Sequence, residues 1–160
     1  TSYLGTGSDN SGQLRIYDKQ GETRSYLGDG YLQAYNQFGE RTVFLGTGTN
    51  GGGYLRTYNF SGQESIYVGT GADSSGQIRI YDNTGETGSF LGSGYFRTYN
   101  RFGKMTTFIG NASDGGGYLR TNNKFETETA FLGTNNANEG LINLNDKFGQ
   151  SFWIRLNKKN

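Results

Sequence analysis

Apolar and polar residues alternate with a period of two through short stretches, and glycine interrupts each stretch. In Gly53-Tyr54-Leu55-Arg56-Thr57-Tyr58, Leu55 and Thr57 fall on one side while Arg56 and Tyr58 fall on the other. That alternation predicts a β-strand with one aliphatic face and one Tyr/Arg face. An Asn or Asp follows each first run, and a glycine stands three residues later. This spacing suits a type I turn ending in a left-handed residue, a common hairpin connection. A second run then closes on aromatic, aliphatic and glycine, as in Phe44-Leu45-Gly46.

The pattern is written seven times, opening at Gly12, Gly30, Gly53, Gly76, Gly94, Gly117 and Gly140. The turn glycines are Gly21, Gly39, Gly62, Gly85, Gly103 and Gly149; Glu126 replaces one and must take a left-handed conformation or mark a different turn. Copy lengths run 18, 23, 23, 18, 23, 23, because the step from a closing glycine to the next opening glycine is either two residues or seven. The higher period is therefore 64, and residues 12–75 match 76–139 at 32 of 64 positions. Self-similarity at a fixed period predicts a stacked array. Residues 1–11 read as the tail of a preceding copy and a linker, so the chain is expected to be part of something longer. Residues 12–139 read as six units in two blocks. Residues 140–160 depart from the pattern at Phe152-Trp153-Ile154 and read as a terminal cap.

Composition fits an all-β chain. There are 28 glycines, 12 Tyr and 11 Phe, and no proline to interrupt a strand ladder. No glycine-free stretch keeps a helical period for three turns. The absence of Cys and His removes disulfides, thiolate zinc sites, the usual general base and the commonest transition-metal ligand. With 15 basic and 14 acidic residues interspersed, no footprint for nucleic acid stands out. No apolar run is long enough for a membrane-spanning helix, and strands near six residues are short for a membrane barrel. No cofactor is implied.

Ordering a residue costs ~1–2 kcal/mol, whereas a fully buried aliphatic side chain returns ~1.5–3 kcal/mol and each copy offers only about four inward positions. A lone ribbon of such hairpins is poorly supported and keeps open edges. Either the chain coils on itself as a solenoid or closed shell, or several chains wrap with their aliphatic faces on a shared axis. Short strands, a thin core and glycine at each corner favour the second: an elongated triple-chain β-helix or β-prism fibre. The Gly53–Gly62 and Gly94–Gly103 cores, with their aromatic-aliphatic-glycine closures, resemble trimeric β-fibres such as phage tail-fibre and tail-spike shafts and the fibre segments of bacterial surface proteins. Tyr17-Asp18-x-x-Gly21 and Tyr81-Asp82-x-x-Gly85 also resemble the YD repeats of bacterial Rhs-type shell proteins, although those typically continue Gly-Arg-Leu. The fibre resemblance implies a non-enzymatic structural or adhesive homotrimer, extracellular, on a cell surface or on a virion.

Three kinds of site remain to be weighed. A Tyr/Arg face including Tyr17, Arg56, Tyr58, Tyr81, Arg97 and Tyr99 is a candidate for surface polysaccharide, and a monomeric solenoid binding carbohydrate is the alternative function. The plainer reading, that Tyr and Arg stack on each other, is favoured by the periodicity. Asp73 and Asp114 sit in Gly/Asx-rich linkers that resemble calcium-binding β-roll turns, but too few carboxylates gather there and ordinary turns are favoured. A carboxylate pair of a polysaccharide-degrading fibre is the third function, yet Glu22, Glu40 and Glu86 recur after turn glycines, as solvated residues do. Asn59-Phe60-Ser61 and Asn111-Ala112-Ser113 match glycosylation acceptors, a pattern common by chance.

Overall fold

A computed structural model describes residues 1–49, 51–135 and 137–156, the last three of these by backbone only. The Lys-containing end of the expected cap, residues 157–160, lies outside the described residues. All regular structure is β, in strands of five to seven residues. The chain divides into two units, Thr1–Gly85 and Glu86–Asn160. The first contains β1 (Ser2–Thr6), β2 (Gly12–Tyr17), β3 (Thr23–Gly28), β4 (Tyr31–Tyr35), β5 (Arg41–Thr47), β6 (Gly53–Tyr58), β7 (Glu64–Thr70) and β8 (Gly76–Tyr81). The second contains β9 (Thr87–Gly92), β10 (Tyr95–Tyr99), β11 (Met105–Asn111), β12 (Gly117–Asn122), β13 (Glu128–Thr134), β14 (Gly140–Asn145) and β15 (Ser151–Leu156).

Within each unit every strand pairs antiparallel with its neighbours in sequence, giving a simple meander. Among the described residues, strands touch only those neighbours. Each unit is thus one layer of sheet, without the second layer that normally covers an apolar face.

The turns follow from the Asx and glycine positions. In Asp18–Glu22 the Gly21 N–H donates to the Asp18 carbonyl at 3.3 Å and the Asp18 N–H to the Glu22 carbonyl at 3.0 Å. The Asp18 side chain accepts from the Gln20 and Glu22 N–H groups, each at 2.9 Å. Asn36, Asn59, Asn100, Asn123 and Asp146 do the same in their own turns. All six predicted turn glycines have positive φ, between 71° and 87°. Glu126 takes the left-handed conformation as well, at φ 65°. A register shift follows the last inward residue of the first run, as at Ile16/Tyr17 and Thr57/Tyr58. It leaves one extra residue on the second strand, Arg24 and Ser65 in these two hairpins, which is a β-bulge.

The five-residue linkers repeat the same geometry, with Asn10, Gly51, Ser74, Gly115 and Asn138 in the left-handed place. The two-residue connections Asp29-Gly30 and Ser93-Gly94 differ. Both residues have positive φ (52° and 78°, 50° and 81°), as a type I′ hairpin turn requires.

Candidate functional site

The two faces of each sheet differ in how much of themselves they bury. On one face aromatic rings stand on neighbouring strands and stack. In the first unit the order is Tyr26, Tyr31, Phe44, Tyr54, Tyr67, with centroids 5.2, 5.4, 5.0 and 5.8 Å apart. In the second it is Phe90, Tyr95, Phe108, Tyr118, Phe131, at 5.2, 5.6, 4.7 and 5.4 Å. These steps are close to the ~4.7–4.9 Å spacing of strands, so the sheet itself sets the ladder.

The closing glycines make the ladder possible. Tyr54 lies between Gly46 and Gly69 in register, and Tyr118 between Gly110 and Gly133. A Cβ on Gly69 would stand 2.5 Å from Tyr54 Cβ, and one on Gly133 equally close to Tyr118 Cβ. The aromatic-aliphatic-glycine closure is therefore a ring and the gap beside it, on one face, with the aliphatic residue between them pointing to the other.

Arginines fill the remaining places on the aromatic face. Arg56 has its guanidinium carbon 4.7 Å from the Tyr54 centroid and 5.5 Å from that of Tyr67. Arg97 lies 4.2 Å from Tyr95 and 5.5 Å from Phe108. Such contacts contribute ~0.5–1 kcal/mol each when exposed, more when desolvated. Phe108, 6% exposed, is buried on this face.

The sequence-predicted site residues all sit on this face but are not gathered at one place. Arg56 and Tyr81 line a shared cavity of about 300 Å³ with Glu64, Tyr67 and Arg79. The Arg56 Nε stands 3.5 Å from a Glu64 carboxylate oxygen. Burial and then the Glu64 charge push the Tyr81 hydroxyl above its ordinary value. Tyr58 is covered by Arg41, 4.6 Å from its centroid. Tyr17 lies at the bulge ending β2, remote from that cavity; Arg97 and Tyr99 belong to the second unit. The ring partners Tyr31, Tyr54, Tyr95 and Tyr118 are not among the predicted residues. Their signal lies in the spacing, because each directly follows an opening glycine and so shares a face with the residue two positions on.

The opposite face is aliphatic and lies uncovered. Leu27, Leu45, Leu91 and Leu132 keep 50%, 51%, 48% and 52% of their surface exposed. In register they form continuous rows, Leu14–Leu27–Leu32–Leu45–Leu55–Val68–Ile78 in the first unit and Leu91–Phe96–Ile109–Leu119–Leu132–Ile142 in the second. Within either unit the aliphatic positions share one face, as the alternation predicts, and nothing in the unit covers that face. One layer of sheet has no inside, and the face that buries itself is the one whose side chains are long enough to lie on each other.

The linker carboxylates act within their turns. Asp73 Oδ1 accepts from the Ser75 N–H at 3.1 Å and its hydroxyl at 2.6 Å, and Asp114 Oδ1 from the Gly116 N–H at 3.0 Å. No cluster of three or more metal-ligating side chains occurs among the described residues. No protein-family model matches the chain, and no curated protein matches its sequence.

Proposed function

We propose that the chain is a non-enzymatic structural or adhesive segment of an extracellular, cell-surface or virion-borne β-fibre. In this reading three copies turn their aliphatic faces to a shared axis. The seven two-stranded units beginning at Gly12 are its rungs, with residues 140–160 as a cap, and the turns, linkers and aromatic ladders lie outside. The carrying observation is the uncovered aliphatic face of each unit.

Magnitudes support the reading. Leu27, Leu45, Leu91 and Leu132 leave about half of their surface exposed, and fully burying a Leu side chain is worth ~1.5–3 kcal/mol. A second and third copy of the same chain are suitable occupants. Each carries the same strand spacing, so rows of Leu and Ile meet at every rung, and a net charge of +1 opposes association little. The likeness in repeat style to trimeric β-fibre shafts points the same way.

The test is a charge on the exposed row. Leu45→Asp and Leu132→Asp change half-exposed side chains, so far-UV circular dichroism of each unit is expected to persist while cross-linked trimer disappears. A Leu45→Asp, Leu132→Asp double variant that still yields trimer would sink the shared aliphatic axis.

A further inference from the structure

The two 64-residue blocks supply an internal comparison. Thirteen residues line a cavity of about 520 Å³ on the aromatic face of the first unit. Shifted by 64 positions, nine of the thirteen recur unchanged. The four that change do so in one chemical sense. Ser8 stands 64 positions before Ala72, Tyr26 before Phe90, Asp29 before Ser93, and Gln33 before Arg97. The cavity thus has, against its counterpart 64 residues on, two extra hydroxyls, a carboxylate for a hydroxyl, and a short amide for a long cation.

The last exchange opens space. Arg97 lies across the Tyr95 and Phe108 rings of the second unit. Gln33 is placed between Tyr26 and Phe44 in register but is too short to cover the rings; it accepts a hydrogen bond from the Tyr35 hydroxyl instead. Beside it, Arg15 lies 5.4 Å from the Tyr26 centroid. Gln13 stands between Gly5 and Gly28, as Tyr54 does between Gly46 and Gly69, so an amide replaces a ring between Tyr3 and Tyr26, whose own rings lie over those two glycines. Polar groups border the space. The Tyr26 hydroxyl donates to Asp29 Oδ2 at 2.8 Å, and the Arg15 Nε–H to Gln13 Oε1 at 3.1 Å.

We infer that this cavity is a binding site for a neutral saccharide, held by Tyr26, Asp29 and Gln33 against tyrosine walls. Its volume lies in the ~300–1,000 Å³ range of small-ligand pockets. Tyrosine offers an apolar ring to sugar C–H groups and a hydroxyl to sugar O–H groups. Asp29 and Gln33 are short side chains whose oxygens accept from sugar hydroxyls, and the Gln33 amide can also donate. Asp9, Glu22 and Asp29 outnumber Arg15 in the lining, so a uronic or sialic acid would bring its carboxylate against like charge. The site lies on the face opposite the aliphatic rows, so it stands whether or not the chain assembles. It is also separate from Arg56, Tyr58, Tyr81, Arg97 and Tyr99.

The experiment titrates the full chain with cellohexaose, xylohexaose, mannohexaose and chitohexaose at up to millimolar concentration, reading backbone amide shifts or heat. At least one is expected to bind, with Gln33→Arg weakening it by about tenfold or more. Because the later block carries that arginine in the same strand context, the variant is expected to fold. Asp29→Ser, again the later block's residue, provides a second variant with the same expected loss. Three results would overturn the inference: no response to any neutral hexasaccharide, undiminished binding by both variants, or tighter binding of trigalacturonate than of the neutral sugars.

Discussion

Two classes of glycine carry different physical demands here. Gly62 and its equivalents have positive φ, and an added Cβ on Gly62 would meet nothing within 4 Å, so only backbone conformation restricts it. Gly110 and Gly133 have no such φ, but a ring occupies the space where a side chain would go. Asn tolerates the left-handed region, and Asn10 and Asn138 already occupy it in this chain. Gly62→Asn is therefore expected to cost at most ~1 kcal/mol in urea unfolding, whereas Gly110→Asn is expected to cost several-fold more by breaking the ring ladder. Equal losses would contradict the distinction. The Asx-x-x-Gly spacing makes the first class legible in the sequence. The second class is opaque there, because a glycine kept for a neighbour's ring looks like any strand-ending glycine until register is known. Charged residues give a second prediction at this scale. The Ser11 hydroxyl and N–H hold the Asp9 carboxyl below its ordinary value, and Lys104 and the Met105 N–H do so for Glu126. At Asp18 burial pushes upward, but the Glu22 N–H, Arg24 and the Gln20 N–H outweigh it. Each carboxyl holds its proton less tightly folded than unfolded. Their stabilisation is complete above the ordinary carboxyl range and falls away as pH drops through the lowered values. Thermal stability is expected to decline on acidification below about pH 4, and to decline less in an Asp9→Asn, Asp18→Asn variant; an unchanged acid limb would contradict this.

At the scale of strands and turns, the aromatic ladder is a side-chain contact that runs across successive strands of each one-layer sheet. Tyr118 stacks between Phe108 and Phe131 at 4.7 and 5.4 Å. Each aromatic pair contributes ~0.5–1.5 kcal/mol beyond its buried area. Tyr118→Leu, which keeps an apolar side chain, is expected to lower unfolding free energy by ~1–3 kcal/mol, and Tyr118→Ala by more. A change under about 0.5 kcal/mol for the leucine variant would mean the rings merely coexist. Period-two alternation makes the strands, and the separation of Tyr/Arg from Leu/Ile, readable in the sequence alone, because both follow from the pleat. Which aromatics touch is not readable from one strand. Tyr26 meets Tyr31 across a two-residue turn and Phe44 meets Tyr54 across a five-residue linker, and both contacts depend on the register that the connection sets. The sharp difference between Asp29-Gly30 and the five-residue linkers is visible as spacing, but its type I′ geometry emerges only from the φ angles.

For the molecule as a whole, composition implies that burial is thin without telling which face is bare. The thinness is physical. Thr57, Thr98 and Thr121 interrupt the aliphatic face, and their hydroxyls meet Ser65, Thr106 and Thr129 at 2.8, 2.9 and 3.1 Å instead of closing a core. A one-layer sheet with Leu and Ile rows on its open side has a strong reason to associate through that side. The most direct measurement is the native molar mass of the full chain by light scattering coupled to size exclusion. A mass close to three times 17.6 kDa is predicted. A monodisperse mass of 17.6 kDa at micromolar concentration would contradict the shared aliphatic axis.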